Sequence, residues 1–252
     1  MKKALRFMCL LIAAILLSSC TQSYNPDTTQ GAGEAQGTEI PEMSSGEDTT
    51  VKEAGETFES SKDRYGVLKY SQIDESDREP MSAEFVDTYL KNGVELNSTE
   101  SAVCIVTVLD INVDWCRYET GAPVPVKVRI DRIIGKNSSF ALNEGDTVTL
   151  KEHDNWMKTD DGYEITFFDG VIPLSELGGR HVLYIIGAAD ETKEYYSSNY
   201  NWNDLEYIAI PMTASVDKNG NLIDPEIYEK TGFPDDVREC SETLIARYLK
   251  ND

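Results

Sequence analysis

The sequence predicts a mainly β domain: a small antiparallel barrel, with a short helix before it and a helix at its C-terminal end. Three features carry this reading. From residue 101 the apolar residues recur with a period of two. Turn signals built on Gly, Asn and Asp separate short apolar runs, with no helical stretch between them. After Pro234 the period becomes helical and one apolar stripe runs towards the end of the chain.

The elements follow in order. Tyr65, Val67, Leu68, Tyr70 and Ile73 suggest a short ordered segment. Residues 82–91 read as a helix, with Ser82 as N-cap, Phe85, Val86, Tyr89 and Leu90 on one side and Gly93 as the stop. This helix is expected to pack onto the domain that follows. Residues 102–110 form a nearly continuous apolar strand, and Val124, Val126, Val128 and Ile130 alternate with polar residues as a half-buried one. Further strands are expected at 147–151, 163–168, 181–186 and 207–212. Asn219-Gly220 favours a two-residue hairpin between 213–216 and Leu222-Ile223. The last helix should start at a capping box of Asp236 and Glu239 and bury Val237, Cys240, Leu244, Ile245, Tyr248 and Leu249.

Upstream of the domain lie an address and a spacer. Lys2, Lys3 and Arg6 precede eleven apolar residues, 7–17, and then Ser18-Ser19-Cys20. A basic start, a short apolar core and small residues before a cleavage point make a secretory signal. Leu17-Ser18-Ser19-Cys20 resembles the lipobox of bacterial lipoproteins. The resemblance implies cleavage after residue 19, diacylglyceryl attachment to Cys20, and a location outside the cytoplasm, with the lipid bilayer as partner. Removing Lys2, Lys3 and Arg6 leaves 20 basic against 45 acidic residues, a net charge of −25. Such a chain cannot hold an anionic membrane by basic residues, so lipid must anchor it. Residues 20–60 read as the lipidated Cys and a disordered acidic tether, about 35 Å long as a flexible coil. Residues 61–100 read as a short helical lead-in, and 101–252 as the barrel domain with its C-terminal helix.

The whole chain of 252 residues carries a net charge of −22, which argues against nucleic acid as a partner. After residue 17 there is no apolar run of the roughly 20 residues needed to span a bilayer.

The rhythm of two long strands, then 136–150, then 178–187, then a pair around Asn-Gly looks like the OB-like barrels of secreted bacterial proteins. It is similar in outline to netrin-type modules, and the resemblance covers about residues 101–224. Netrin-type protease inhibitors grip a catalytic zinc with a free N-terminal Cys. Here the mature N-terminal Cys20 would be acylated and lies about 80 residues before the barrel, so that mechanism does not carry over. An OB-like fold by itself decides no function.

Catalytic motifs are scarce. There is no G-x-S-x-G or H-E-x-x-H, and the two histidines, His153 and His181, lack the spacing of a metal site. No cofactor or metal is expected. Residues 217–228 fail as a calcium loop, because Leu222 and Tyr228 stand where Gly and Glu are needed. Asp160-Asp161-Gly162 and Asp169-Gly170 read as turns. Cys104, Cys116 and Cys240 are either buried free thiols or include one disulfide.

The most suggestive patch is a loop between two strands: Tyr195, Tyr196, Asn199, Tyr200, Asn201, Trp202 and Asp204. Rings with amides beside them grip sugars and peptides in water, and rings can equally cap a barrel end. The expected function is non-enzymatic binding of a cell-envelope or extracellular ligand. A structural subunit docking to a membrane complex and a carboxylate-dependent envelope hydrolase are the alternatives.

Overall fold

A computed structural model describes residues 58–73, 84, 87, 100–114, 116, 121–137, 139–152, 154–168, 171–200 and 202–250. Its elements are α1 (Ser61–Tyr65), β1 (Val67–Ile73), β2 (Ser101–Ile111), β3 (Pro125–Lys136), β4 (Thr147–Lys151), β5 (Asn155–Lys158) and β6 (Gly162–Phe168). They continue with β7 (Arg180–Gly187), α2 (Asp190–Tyr200), β8 (Tyr207–Pro211), α3 (Ile227–Thr231) and α4 (Asp235–Leu244), which runs into a π-helical turn at Ile245–Leu249. Cys20 with the rest of residues 1–57, the 82–91 helix except Glu84 and Asp87, His153, Asp169-Gly170 and Asn201 lie outside the described residues. Glu84 and Asp87 are helical, and Asp87 accepts a 2.6 Å bond from Arg247 Nη1 of the last helix.

The fold is mainly β, and five strands close a barrel in the order β2-β3-β4-β8-β7. Neighbours are antiparallel except β4 and β8, which meet in parallel at Leu150–Tyr207 and Lys151–Ile208. Numbered within the barrel, the order is first, second, third, fifth, fourth, which is the OB arrangement. Ala102, Cys104, Val106 and Val108 of β2 point into the barrel core with Val126, Val128 and Ile130 of β3, Leu150 of β4 and Leu183 and Ile185 of β7. Val103 and Ile105, on the other face of β2, are buried as well. The neighbouring β7 carries the C-terminal π turn on its outside. Cover on both faces explains why 102–108 is apolar at every position but Thr107 rather than alternating.

The strand at 162–168 belongs elsewhere. The alternation is real, but β6 pairs in a separate three-stranded sheet, β1-β6-β5, rather than in the barrel. β1 runs parallel to β6 from Val67–Gly162 to Ile73–Phe168. Gly162 permits that approach, since a Cβ there would lie 2.2 Å from Val67 O. β5 was unread because Glu, His, Asp and Asn surround it, and those residues spell turn. Period-two patterning reports a buried face, not the partner, and the partner here lies 95 residues upstream. Ala122 bridges Trp156, stitching β5 to the residues before β3. The Asp160-Asp161 turn joins β5 to β6 as expected, closed by Thr159 N–H to Gly162 O at 2.9 Å.

Smaller differences have local causes. The Asn-Gly turn is a three-residue loop: Gly220 N–H reaches Asp217 O at 3.0 Å, and Asp217 N–H reaches Asn221 O at 2.8 Å. Gly220 takes φ +76°, which turns a type I turn into a bulged hairpin. The last helix has no capping box: Pro234 is its N-cap and Asp236 sits inside the first turn. The anticipated stripe is buried at Val237, Cys240, Leu244, Ile245 and Leu249, and half-buried at Tyr248. Ser241 adds a polar peg, accepting from Ala214 N–H at 2.9 Å and sharing a 2.7 Å hydrogen bond with Tyr228 OH.

Candidate functional site

The connection from β7 to β8 is a helix, α2, where the composition reads as a loop. Ser, Asn and Tyr are mediocre helix formers, so intrinsic propensity does not reveal it. Asp190 and Glu191 in the first turn complement the helix dipole. Burial of Tyr196 on the inner face, with Trp202 just beyond the helix, provides the tertiary support.

The rings form one cluster. Tyr196 and Trp202 stack with centroids 4.8 Å apart and planes at 18°. Tyr200 stacks on Tyr196 at 5.4 Å and 27°. Tyr195 meets Tyr196 edge-on at 5.3 Å and Tyr200 at 6.2 Å. Lys151, at the end of β4, places Nζ 5.6 Å from the Tyr196 ring centre. Asp204 accepts a 3.1 Å bond from Thr149 Oγ1 on β4, which ties the C-terminal end of the cluster to the barrel. Asn199 Nδ2 donates to Tyr195 O at 2.8 Å, and Ser197 Oγ to Asn203 Oδ1 at 2.8 Å. Burial, and then the neighbouring Tyr195, push the Tyr200 hydroxyl above the usual phenol range.

The roles within the cluster divide by exposure. Trp202 is 3% and Tyr196 8% exposed, whereas Tyr195 is 38% exposed and Tyr200 is half-buried. The first pair is therefore a platform, and only the second offers ring surface to solvent. Asn199 and Asp204 are exposed beside it. Trp202 Nε1 is buried without an acceptor among the described residues.

A second constellation leaves no mark in the sequence. Glu152 and Asp154 are each 1% exposed, at the corner where β4 leaves the barrel and β5 begins. Glu152 Oε2 accepts Leu174 N–H at 3.0 Å, and the two carboxyls hydrogen-bond to each other. Burial raises both: Asp154 to about 7, and Glu152 well above the usual carboxylate range, with the Asp154 charge adding to the rise. No motif marks the pair, because a chain with 45 acidic residues offers countless such pairs on paper.

Other candidates resolve into structure. His181 is fully buried, with Nδ1 2.8 Å from Thr213 O, and burial lowers its pKa to about 4. Asp217 spends its carboxylate on the N–H groups of Asn219 and Asn221 at 2.8 and 2.9 Å, which makes it a turn residue. Ser215-Val216-Asp217-Lys218 has S-x-x-K spacing, but it lies on a bridge and a turn rather than on a helix that would align Ser with Lys. Cys104, Cys116 and Cys240 are free and buried; burial pushes the first two thiols to about 12 and the third to about 11. A polar cleft of about 250 Å³ lies between α1 and the end of β2, crossed by the Arg64–Asp110 ion pair at 2.5 Å. Among the described residues no group of three or more His, Cys, Asp or Glu is placed to hold a metal, and no helix is long and apolar enough to cross a membrane.

No protein-family model, curated protein or solved structure matches this chain, so its function must be argued from the chemistry of these sites.

Proposed function

We propose that this chain is a lipid-anchored extracytoplasmic binding module that holds a neutral sugar-bearing ligand against Tyr195 and Tyr200. One observation carries the reading: a cluster of four rings, three of them stacked and Tyr195 edge-on, follows the fourth barrel strand and lies beside the third. OB barrels use this connection, with the face of the second and third strands, to hold oligosaccharides and oligonucleotides. A net charge of −22 disfavours a polyanion and leaves neutral sugar as the better fit. Tyr195 and Tyr200 would stack on the ligand, Asn199 and Asp204 would orient it, and Tyr196 and Trp202 would hold the platform. The sequence of residues 1–20 supports anchorage through acylated Cys20, with the acidic stretch to residue 60 as spacer.

The hydrolase alternative finds its best pair in Glu152 and Asp154, but carboxyls at 1% exposure present no face to a substrate. Among the described residues, the docking-subunit alternative has as its most exposed large apolar residues Val67, Ile223, Tyr195, Ile73 and Phe58, at 36–43%. Thermal unfolding of the mature chain against neutral tetrasaccharides, chitotetraose among them, tests the binding reading. A bound ligand raises the melting temperature by mass action, with about 2.7 kcal/mol at a hundredfold excess over Kd. The reading expects such a shift, and expects Tyr195→Ala with Tyr200→Ala to abolish it. A shift that survives both changes places the ligand elsewhere.

A further inference from the structure

We propose that Glu152 and Asp154 form a buried proton-binding latch, which holds the 171–177 segment across one end of the barrel and releases it when the shared proton leaves. The inference is independent of the ligand reading above.

Glu152 continues the inward row of Val148 and Leu150, so its side chain lies at the end of the barrel core. The 171–177 segment crosses there without strand pairing, yet Ile172, Leu174 and Leu177 are buried, and Leu174 and Leu177 belong to the barrel core. A buried segment outside any ladder must find partners for its amides. Leu174 N–H finds Glu152 at 3.0 Å, and Leu177 N–H finds Ser61 Oγ at 2.8 Å. Beyond Leu177 the chain is pinned by the backbone, through Gly178 N–H to Val108 O at 2.8 Å and Val108 N–H to Gly179 O at 3.0 Å.

The carboxyls themselves require the proton. Counted as acceptors only, Glu152 Oε1 and both oxygens of Asp154 have no donor among the described residues. Two ionised carboxylates there would leave three bare oxygens in a site sealed from water. If one carboxyl keeps its proton it donates to the other, and Glu152 still accepts from Leu174. The groups around the pair do not replace that proton. Lys151 is the cation whose charge favours ionisation. The hydroxyls of Tyr70 and Ser175 are 3.1 Å apart and engaged with each other. Asp154, Glu176 and Asp224 all act on Tyr70 as like charges, and the cation on that side, Lys230, is engaged by Asp224 at 2.8 Å and is not among the groups that act on the pair. Removing the last proton therefore sets two charges against each other in a dry site, and displacing the 171–177 segment is the route by which water reaches them.

The test is an NMR titration of the full mature chain from about pH 6 to pH 10. Carboxyl carbon shifts report the pair, and persistence of amide signals reports exposure. The latch predicts that Glu152 and Asp154 titrate as a unit, the last step falling well above the usual carboxylate range. Past that step, protection of the Leu174 amide should fall about tenfold per pH unit, as one linked proton requires, while the Val103–Val106 amides stay protected. Glu152→Gln and Asp154→Asn each supply a permanent N–H donor in place of the proton, and should keep Leu174 protected throughout. Protection of Leu174 that is flat to pH 10 in the native chain overturns the latch. So does loss in step with the β2 amides, which would mean global unfolding. If either variant fails to fold, the native titration still decides.

Discussion

The aromatic cluster after β7 and the carboxyl pair after β4 solve opposite problems. The rings satisfy one another: Tyr196 and Trp202 bury themselves by stacking and leave Tyr195 and Tyr200 with surface to offer. The carboxyls satisfy one another only with a proton between them, and offer no surface. One region can therefore change its partner without changing its fold, and the other can change its fold without meeting a partner. Lys151 belongs to both, with Nζ over the Tyr196 ring and its charge favouring ionisation of the pair.

The largest effect should come from breaking the pair unevenly. Glu152→Ala strips Leu174 N–H of its acceptor and leaves Asp154 alone in a sealed site, at an expected cost of about 4 kcal/mol by urea unfolding. Glu152→Gln, which keeps both hydrogen bonds, should cost far less. A similar loss in both variants would mean that packing alone, not the hydrogen bonds, fixes this corner.

Trp202→Ala comes next, at about 3 kcal/mol, because it removes a buried ring from under Tyr196. Tyr195→Ala should stay within about 0.5 kcal/mol, since its ring is the exposed member. Equal costs would erase the distinction between platform and contact.

Stability should also fall as pH rises. Asp154 and Glu152 hold their protons more tightly folded than unfolded, so the folded state carries the extra protons above the unfolded values near 4. The decline begins there and runs through about 7 for Asp154, and Glu152, raised by the same burial, adds to it. Its slope is at most about 1.4 kcal/mol per pH unit per proton. Stability that rises from pH 6.5 to pH 8, above the range in which His181 contributes, would contradict the burial of these groups. His181 pulls the other way up to about pH 6.5, because burial lowers its pKa to about 4 and the unfolded chain binds that proton more tightly; Asp161 does so too, held below the usual carboxylate range first by its bond from Lys69, but it is exposed and its effect is screened.

The smallest effect is Lys151→Met. It removes a cation from the ring and from the carboxyls, so it should lower stability by about 0.5 kcal/mol and move the pair's titration upward. An unmoved titration would separate the two regions entirely.

The barrel was legible because its strands are covered in ways that leave marks. Val124 to Ile130 alternate, and 102–108 is apolar on both faces but for Thr107. β6 carried the same mark with a different partner, since pairing with β1 across 95 residues leaves no local trace. The rings at 195–202 were legible from composition, but the helix presenting them was not, because tertiary burial rather than propensity forms it. The carboxyl pair was invisible: a buried acid has the same letter as the exposed ones, and only the fold reveals which two have lost water.

The most direct measurement is calorimetric titration of chitotetraose and its neutral analogues into the mature chain, compared with the chain carrying Tyr195→Ala and Tyr200→Ala. Platform and contact roles predict binding in the first, loss of at least about tenfold in affinity in the second, and a drop in melting temperature without ligand smaller than that of Trp202→Ala. Undiminished binding in the variant would contradict the assignment of these rings as the ligand face.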